Sequence, residues 1–345
     1  MILGLTYNLK KDVAVSPGDP IDRFEEFDSE ETLLALEAAL AGFGHTTHRL
    51  GWGPAMLERL EELEKAGTRI EGVFNFAEGI GGRGRESQVP ATLEMLGIPF
   101  SGSSPLSLGL TLDKALGKVV AENAGIATAP FAVAHSLGDL LGISLRYPLF
   151  AKPANEGSSM GITAASLCRS ESDLRRTVAS LLSAYGGAVL IEEFLPGDEF
   201  TVGIVGNGGD AEIVGIMQVV PRAAEPDFIY SLEVKRDYIN RVDYLIPPPL
   251  SSSMKQQVES VALAVYRAFG CRDVSRVDVR CDRDGIPNFV EVNPLPGMNP
   301  VSSDLVILAR GMKWTYERLI GRVIDSAIER WAGGREPLLA DRMLR

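Results

Sequence analysis

Cysteine is scarce in this 345-residue chain: there are three, Cys168, Cys271 and Cys281, an odd number with no C-x-x-C pair. That disfavours a disulfide framework and makes a reducing cytoplasm the expected setting. Histidine is equally scarce, and His45, His48 and His135 do not cluster with cysteine, which argues against a structural zinc site. Positive charge is in deficit, with a net charge of -12, so no broad basic face is available for nucleic acid. No apolar run reaches the ~20 residues of a membrane span. The N-terminal residues Met1 to Asp12 lack signal-peptide architecture. A Walker loop, G-x-x-x-x-G-K-S/T, is also missing. What is present, 45% hydrophobic and 23% charged residues, is ordinary for a soluble globular enzyme. The length exceeds what one core usually supports, so two or three domains are expected. An acidic protein of this kind binds a nucleotide with a few placed cations and a metal ion, not a basic surface.

Residues 1–110 alternate strand-like and helix-like segments, which predicts βα units around a parallel sheet. Strands are expected at Ile2–Tyr7, Val73–Phe76 and Ile98–Ser101. Between them Asp28, with Glu31 as its capping-box partner, opens a helix carrying Leu33, Leu36 and Leu40 on one face, and Gly42 and Gly44 stop it. Residues 111–196 begin with a helix near Asp113–Asn123. Strands follow at Pro148–Lys152 and Ile162–Leu167, then a helix at Glu171–Tyr185 and a strand at Ala188–Phe194. Residues 197–330 are strand-rich: Phe200–Val205, Ile213–Val220, Val242–Ile246, Val274–Arg280 and Asn288–Val292, with a helix at Met254–Phe269 and a last one over Val306–Arg330. The polar tail, 331–345, reads as loosely attached. The fold class is therefore α/β (α+β).

Three motifs carry chemistry. The first is Arg276-Val-Asp278-Val-Arg280, followed by Glu291-Val-Asn293-Pro-Leu-Pro-Gly297-Met298. Glu291 and Asn293 stand two apart on one strand, hence on one face. If that strand pairs with the preceding one through the turn at Asp282–Gly285, three oxygen ligands converge in a set suited to Mg²⁺. A hairpin with solvated acids is the bland alternative. The rigid Pro/Gly run beside it can offer backbone N–H groups to an anion. The second motif is Lys152-Pro-Ala-Asn-Glu-Gly157-Ser158-Ser159-Met-Gly161. Its N–H groups and hydroxyls can cover a triphosphate while Lys152 adds a point charge, or it is a Gly/Ser hairpin turn. The third, Ile191-Glu192-Glu193-Phe194-Leu195-Pro-Gly-Asp-Glu199, suits an adenosine pocket, with carboxylates as acceptors and Phe194 and Leu195 as apolar walls. Solvated acids at a strand end are its alternative. A literal G-x-G-x-x-G at Gly79–Gly84 is set aside as a dinucleotide site, because the next strand ends without the acidic residue such a site requires.

In this order the motifs resemble the D-alanine–D-alanine ligase family of ATP-grasp enzymes. The likeness runs from about Val73 to Leu319 and includes Leu96-Gly-Ile-Pro-Phe-Ser-Gly-Ser103, Leu112-Asp-Lys114 and Tyr147-Pro-Leu-Phe-Ala-Lys152-Pro. The resemblance implies an ATP-grasp fold behind an N-terminal parallel-sheet (pre-ATP-grasp) domain, three domains in all, with ATP held between two of them. It implies a peptide bond formed through an acylphosphate. It assigns Lys114 and Lys152 to phosphates, Glu192, Glu193, Leu195 and Glu199 to the adenosine pocket, and Lys235 to a mobile lid reaching ATP. It makes Asp278, Glu291 and Asn293 ligands of two Mg²⁺ ions, for which Mn²⁺ can stand in. Arg276 and the Gly297 N–H become the oxyanion stabilisers, and Ser158 and Ser302 lie near the substrate. Small amino-acid or peptide substrates and a homodimer are implied, with no nucleic acid or membrane partner.

The substrate side departs from the family. Where a histidine is usual, the chain reads Phe74-Asn-Phe-Ala77-Glu78-Gly79. Arg236 replaces the tyrosine usual after the lid lysine, which points to a more acidic substrate or one lacking an ammonium group there. The family's E-x-E-V-S pattern is only echoed by Glu25-Glu26-Phe-Asp28-Ser29. Two further readings therefore stand beside the first: a ligase of the same fold joining a different amino acid, hydroxy acid or peptide, and a nucleotide-binding protein without catalysis.

Overall fold

A computed structural model describes residues 1–16, 19–20, 22–157, 159–223 and 227–333. Ser158 and the tail beyond Gly333 lie outside the described residues. The chain forms three separate sheets. The first has β1 (Ile2–Thr6) at its centre, parallel to β2 (Thr46–Gly51) and β3 (Gly72–Asn75). Helix α1 (Glu30–Gly42) and α2 (Gly53–Lys65) supply the crossovers, followed by α3 (Gln88–Leu96) and α4 (Pro105–Leu112). The Leu33, Leu36 and Leu40 stripe of α1 is fully buried, as its spacing predicts. Ser29, not Asp28, caps α1, its hydroxyl accepting from Thr32 N at 3.3 Å. Asp28 is held extended instead by Asp28 N–H to Asn8 O and Lys10 N–H to Asp28 O. The strand expected at Ile98–Ser101 shrinks to one bridge between Val73 and Phe100. Pro99 has no N–H to give, and Gly102, at φ 89°, turns the chain away towards α4.

The second sheet follows α5 (Lys114–Asn123). It is antiparallel, in the order β4 (Phe131–Ala134), β7 (Val189–Glu193), β5 (Leu149–Pro153), β6 (Leu167–Cys168). Helix α6 (Glu171–Tyr185) covers one face through Leu174, Val178 and Leu181, packed on Leu149, Ala151 and Ile191. Because strand side chains alternate, Phe150, Lys152 and Glu192 stand on the other face. The strand expected at Ile162–Leu167 is mostly a short 3₁₀ turn at Ala164–Ser166. There the Thr163 hydroxyl accepts from Ala165 N and Ser166 Oγ from Thr163 N, so local side-chain bonds displace the ladder.

The third sheet is antiparallel, in the order β10 (Val242–Leu245), β9 (Glu212–Pro221), β8 (Glu199–Val205), β11 (Val274–Cys281), β12 (Pro287–Asn293). The short helices α7 (Leu232–Arg236) and α8 (Tyr238–Arg241) sit between β9 and β10. Helix α9 (Ser252–Ala268) buries Val258, Ala262 and Val265 against Val202, Val277 and Val279. The alternating partners Arg276, Asp278 and Arg280 are left on the uncovered face. The single helix expected over Val306–Arg330 is two, α10 (Asp304–Gly311) and α11 (Tyr316–Gly333). Lys313 takes φ 67° between them, and Thr315 Oγ receives Arg318 N at 3.1 Å to start the second. Helix α11 packs Leu319, Ile320, Val323 and Ile324 onto α1, joining the first sheet to the third. Asp273 fastens the same junction, accepting from Gly102 N, Asn207 Nδ2 and Arg330 Nη2.

Candidate active site

The uncovered faces of the second and third sheets enclose a cleft. Lys152, Glu192, Glu193, Phe194 and Leu195 line it from one side, Glu199, Thr201, Asp278, Arg280 and Glu291 from the other. Lys114, Lys235 and Tyr230 complete its walls. A second cavity of about 620 Å³ lies deeper, bounded by Glu26, Glu78, Glu86, Arg276, Asn293 and the Pro294–Gly297 run. Lys114 and Glu291 line both.

The hairpin of β11 and β12 sets the polar centre. Its register places Arg276 opposite Asn293 and Asp278 opposite Glu291, with a bulge after Asp278. The turn is tied by Asp282, whose Oδ1 accepts from Asp284 N and Ile286 N. Arg276 Nη2 donates to Asp278 Oδ2 at 2.9 Å and lies 3.5 Å from Glu291 Oε1, while Nη1 donates to Asp304 Oδ2 at 3.1 Å. Thr201, facing Asp278 across β8, donates to its Oδ1 at 2.9 Å. Lys114 Nζ stands 3.3 Å from Glu291 Oε2 and donates to Glu156 O at 2.5 Å. Burial and the nearby Glu291 push Asp278 up, against the pull of Arg276. Glu291 is partly buried, yet Lys114 and Arg276 hold it below the ordinary carboxylate range.

Glu192 is differently occupied from what its motif implied. Its two oxygens accept from Lys118 Nζ at 2.6 Å and Lys152 Nζ at 2.7 Å. Burial alone would raise this carboxyl, but the two ammonium groups bring it down to about 2. It lines the cleft as the anchor of two lysines rather than as a free acceptor. Lys118 is 0% exposed, so Glu192→Ala would strand a buried ammonium. That substitution is expected to remove about 3–5 kcal/mol of stability, read as a fall in the urea midpoint at unchanged slope. The rim carboxylate Glu193 accepts from the Arg146 backbone and guanidinium. Glu199 pairs with Arg280 at 3.0 Å, and Arg280 also covers the Phe194 ring at 4.8 Å. Lys235, on the N-capped helix α7, holds its Nζ 5.0 Å from the Tyr230 ring centre.

Two expectations change. Arg236 does not line the cleft or the deeper cavity; it turns outward to Glu25 at 2.6 Å, which removes the reason to expect an acidic substrate. Ser302 is exposed and lines neither cavity, its hydroxyl donating to Asn299 Oδ1. Gly297 does face the deeper cavity, and a Cβ there would sit 2.9 Å from Ser303 Oγ. Sequence reading missed Lys118, Glu86 and Asp304. Lys118 carried a signal, since it falls between Gly117 and Ala121 on the buried stripe of α5. The Gly79–Gly84 loop serves as a carrier for Arg83, which bonds Asp113 Oδ2 at 2.6 Å, and leads into Arg85, which bonds Glu26 Oε2 at 2.5 Å.

Three sheets, with a cleft lined by lysines and carboxylates between the two antiparallel ones, define the ATP-grasp class. The comparisons agree. A family model described as "D-ala D-ala ligase C-terminus" matches residues 120–325. The chain is 32% identical over 302 residues to the "Uncharacterized protein y4sG" of Sinorhizobium fredii, covering 87% of this chain and 88% of that one. It is 32% identical over 292 residues to the D-alanine–D-alanine ligase of Cupriavidus taiwanensis, covering 84% of each. The crystal structure of the D-alanine–D-alanine ligase of Bacillus anthracis complexed with ATP shares the fold, with a TM-score of 0.69 at 23% identity, covering 97% of this chain and 100% of that one. The chain belongs to the D-alanine–D-alanine ligase family and is an ATP-dependent ligase of that kind.

Proposed function

We propose that the cleft holds ATP and the deeper cavity an organic acid, and that the acid's carboxylate is phosphorylated where the two cavities meet. The observation that carries this is the shared wall of Lys114 and Glu291. A carboxylate is a poor electrophile. Attack of its oxygen on the γ-phosphorus expels ADP and gives an acylphosphate, whose carbonyl an amine then attacks, losing a proton as phosphate leaves. The protein's share is positioning and charge neutralisation. Lys114, Lys152 and Lys235 serve the phosphates. Arg276 and the Gly297 N–H serve the oxyanion of the tetrahedral intermediate. The hard oxygen donors Asp278, Glu291 and Asn293 fit Mg²⁺, which would neutralise phosphate charge when bound.

Apolar walls and polar groups divide the cleft as adenosine requires. Phe150, Met160, Phe194, Leu195 and Ile229 supply apolar lining, and the lysines and carboxylates polar lining. The three sheets correspond to three domains in this reading. A reducing compartment agrees with Cys168, Cys271 and Cys281, all buried and free. Among the described residues no helix is long and apolar enough to cross a membrane. The test is ADP release with MgATP over D- and L-amino acids, singly and in pairs, with product masses determined. Peptide-bond products support the reading. ATP binding without turnover over the whole panel would favour a non-catalytic role.

A further inference from the structure

Lys118 lies one helical turn beyond Lys114 on α5 and lines neither cavity. Its Nζ is saturated, donating to Thr128 Oγ1 at 2.5 Å, Ala129 O at 3.2 Å and Glu192 Oε1 at 2.6 Å. Burial pulls this ammonium down and Glu192 opposes the pull. The bonds themselves fix its state. The Thr128 hydroxyl gives its one proton to Phe289 O, so it can only accept from Lys118. Three acceptors need three N–H groups, which only the charged ammonium has. Lys152 is the opposite case. It is 4% exposed and lines the cleft, yet among the described residues its Nζ has one acceptor, the second oxygen of Glu192 at 2.7 Å. Two of its three N–H groups remain for something inside the cleft. An ammonium so deep and so short of acceptors is costly unless a ligand supplies them.

Resting on the reading of the cleft as an ATP site, we propose that Lys118 is a positioning residue for the nucleotide's phosphates: by holding one oxygen of Glu192, it leaves Lys152 with net positive charge to offer. Lys152 and Glu192 alone would make a neutral pair, which attracts an anion only weakly. Glu192 carries its charge despite burial, because the two ammonium groups bring its carboxyl down to about 2. With Lys118 added, the three side chains sum to one positive charge, and of the two lysines it is Lys152 that faces the cleft. Lys118 also fixes where that charge stands. Thr128 passes its bond on to Phe289 of β12, two residues before Glu291, and Ala129 lines the cleft. The lysine thus ties Glu192 on β7 of the second sheet to the strand of the third sheet that bears Glu291.

The experiment is equilibrium binding of MgATP and of adenosine to the wild type, Lys118→Gln, Lys118→Gln/Glu192→Gln and Thr128→Val, with a melting curve for each. Lys118→Gln keeps an N–H for Thr128 or Ala129 but leaves Lys152 in a neutral pair. Its Kd for MgATP should rise by about tenfold or more, the usual worth of a charge-assisted hydrogen bond, while that for adenosine stays within about twofold. The double variant removes one charge of each sign, restores the wild-type sum around Lys152 and should recover most of the loss. Thr128→Val cuts the tie to β12 without touching a charge and should leave both constants near the wild type. Unaltered MgATP affinity in Lys118→Gln, an equal loss for adenosine, or no recovery in the double variant would each overturn the assignment. So would a loss in Thr128→Val as large as that in Lys118→Gln. Each of these makes Lys118 a structural tie and leaves the ATP reading intact. Should Lys118→Gln fail to fold, the double variant decides: MgATP affinity near the wild type supports the assignment, and a loss overturns it. Failure of the wild type to bind MgATP overturns the ATP reading as well.

Discussion

Glu291→Gln is expected to cut kcat by at least about 100-fold, the equivalent of roughly 3 kcal/mol of transition-state stabilisation. Glu291 is the residue on which both cavities depend. It faces Lys114 at 3.3 Å and Arg276 at 3.5 Å, and those cations keep it ionised despite partial burial. Glutamine keeps the shape but removes the charge that a hard cation requires. The fold should survive, because β12 keeps its register and Glu291 is not part of the apolar packing on α9. The Mg²⁺ concentration for half-maximal rate should rise in the variant. Wild-type turnover with unaltered Mg²⁺ dependence would remove Glu291 from the metal site.

Arg276→Ala should be comparably severe, about 10²–10³-fold in kcat, the usual range for loss of one oxyanion donor. It is also expected to lose stability, since Asp278, Asp304 and Glu291 would lose their common cation. Arg276→Lys separates the two effects. An ammonium keeps the charge balance and much of the stability, but a single point donor cannot reach several carboxylates and the oxyanion together. Its melting temperature should stay nearer the wild type while kcat still falls by about tenfold or more. Recovery of full kcat in the lysine variant would show that Arg276 acts only as a structural counter-ion.

The juxtaposition of Asp278, Glu291 and Asn293 was legible in sequence because it is built from local periodicity. Two-residue spacing on a strand puts Glu291 and Asn293 on one face, and a short turn brings them to Asp278. The structure shows that register directly. The parallel first sheet was legible in part, through β1, β3 and the leucine stripe of α1, while β2 at Thr46–Gly51 was not read and the strand expected at Ile98–Ser101 is a single bridge. What was not legible depends on residues distant in the chain. Glu192 looked like a free acceptor because Lys118 reaches it from another element, on α5. Arg236 looked like a substrate contact until its partner Glu25, more than two hundred positions away, was placed beside it. Glu26, Glu78 and Glu86 come from a loop, the segment after β3 and a short turn, with no shared pattern to announce that they meet. The break between α10 and α11 did leave a trace, in Gly311 followed by Thr315, which the apolar periodicity on either side obscured.

Whether the carboxylate is activated at the junction of the two cavities can be followed with an isotope. The acid substrate identified by the ADP-release screen is labelled with ¹⁸O in its carboxylate and turned over with MgATP and the amine partner. Transfer through an acylphosphate carries one labelled oxygen into inorganic phosphate for each amide formed. Inorganic phosphate free of label, or label recovered in AMP, would contradict the account.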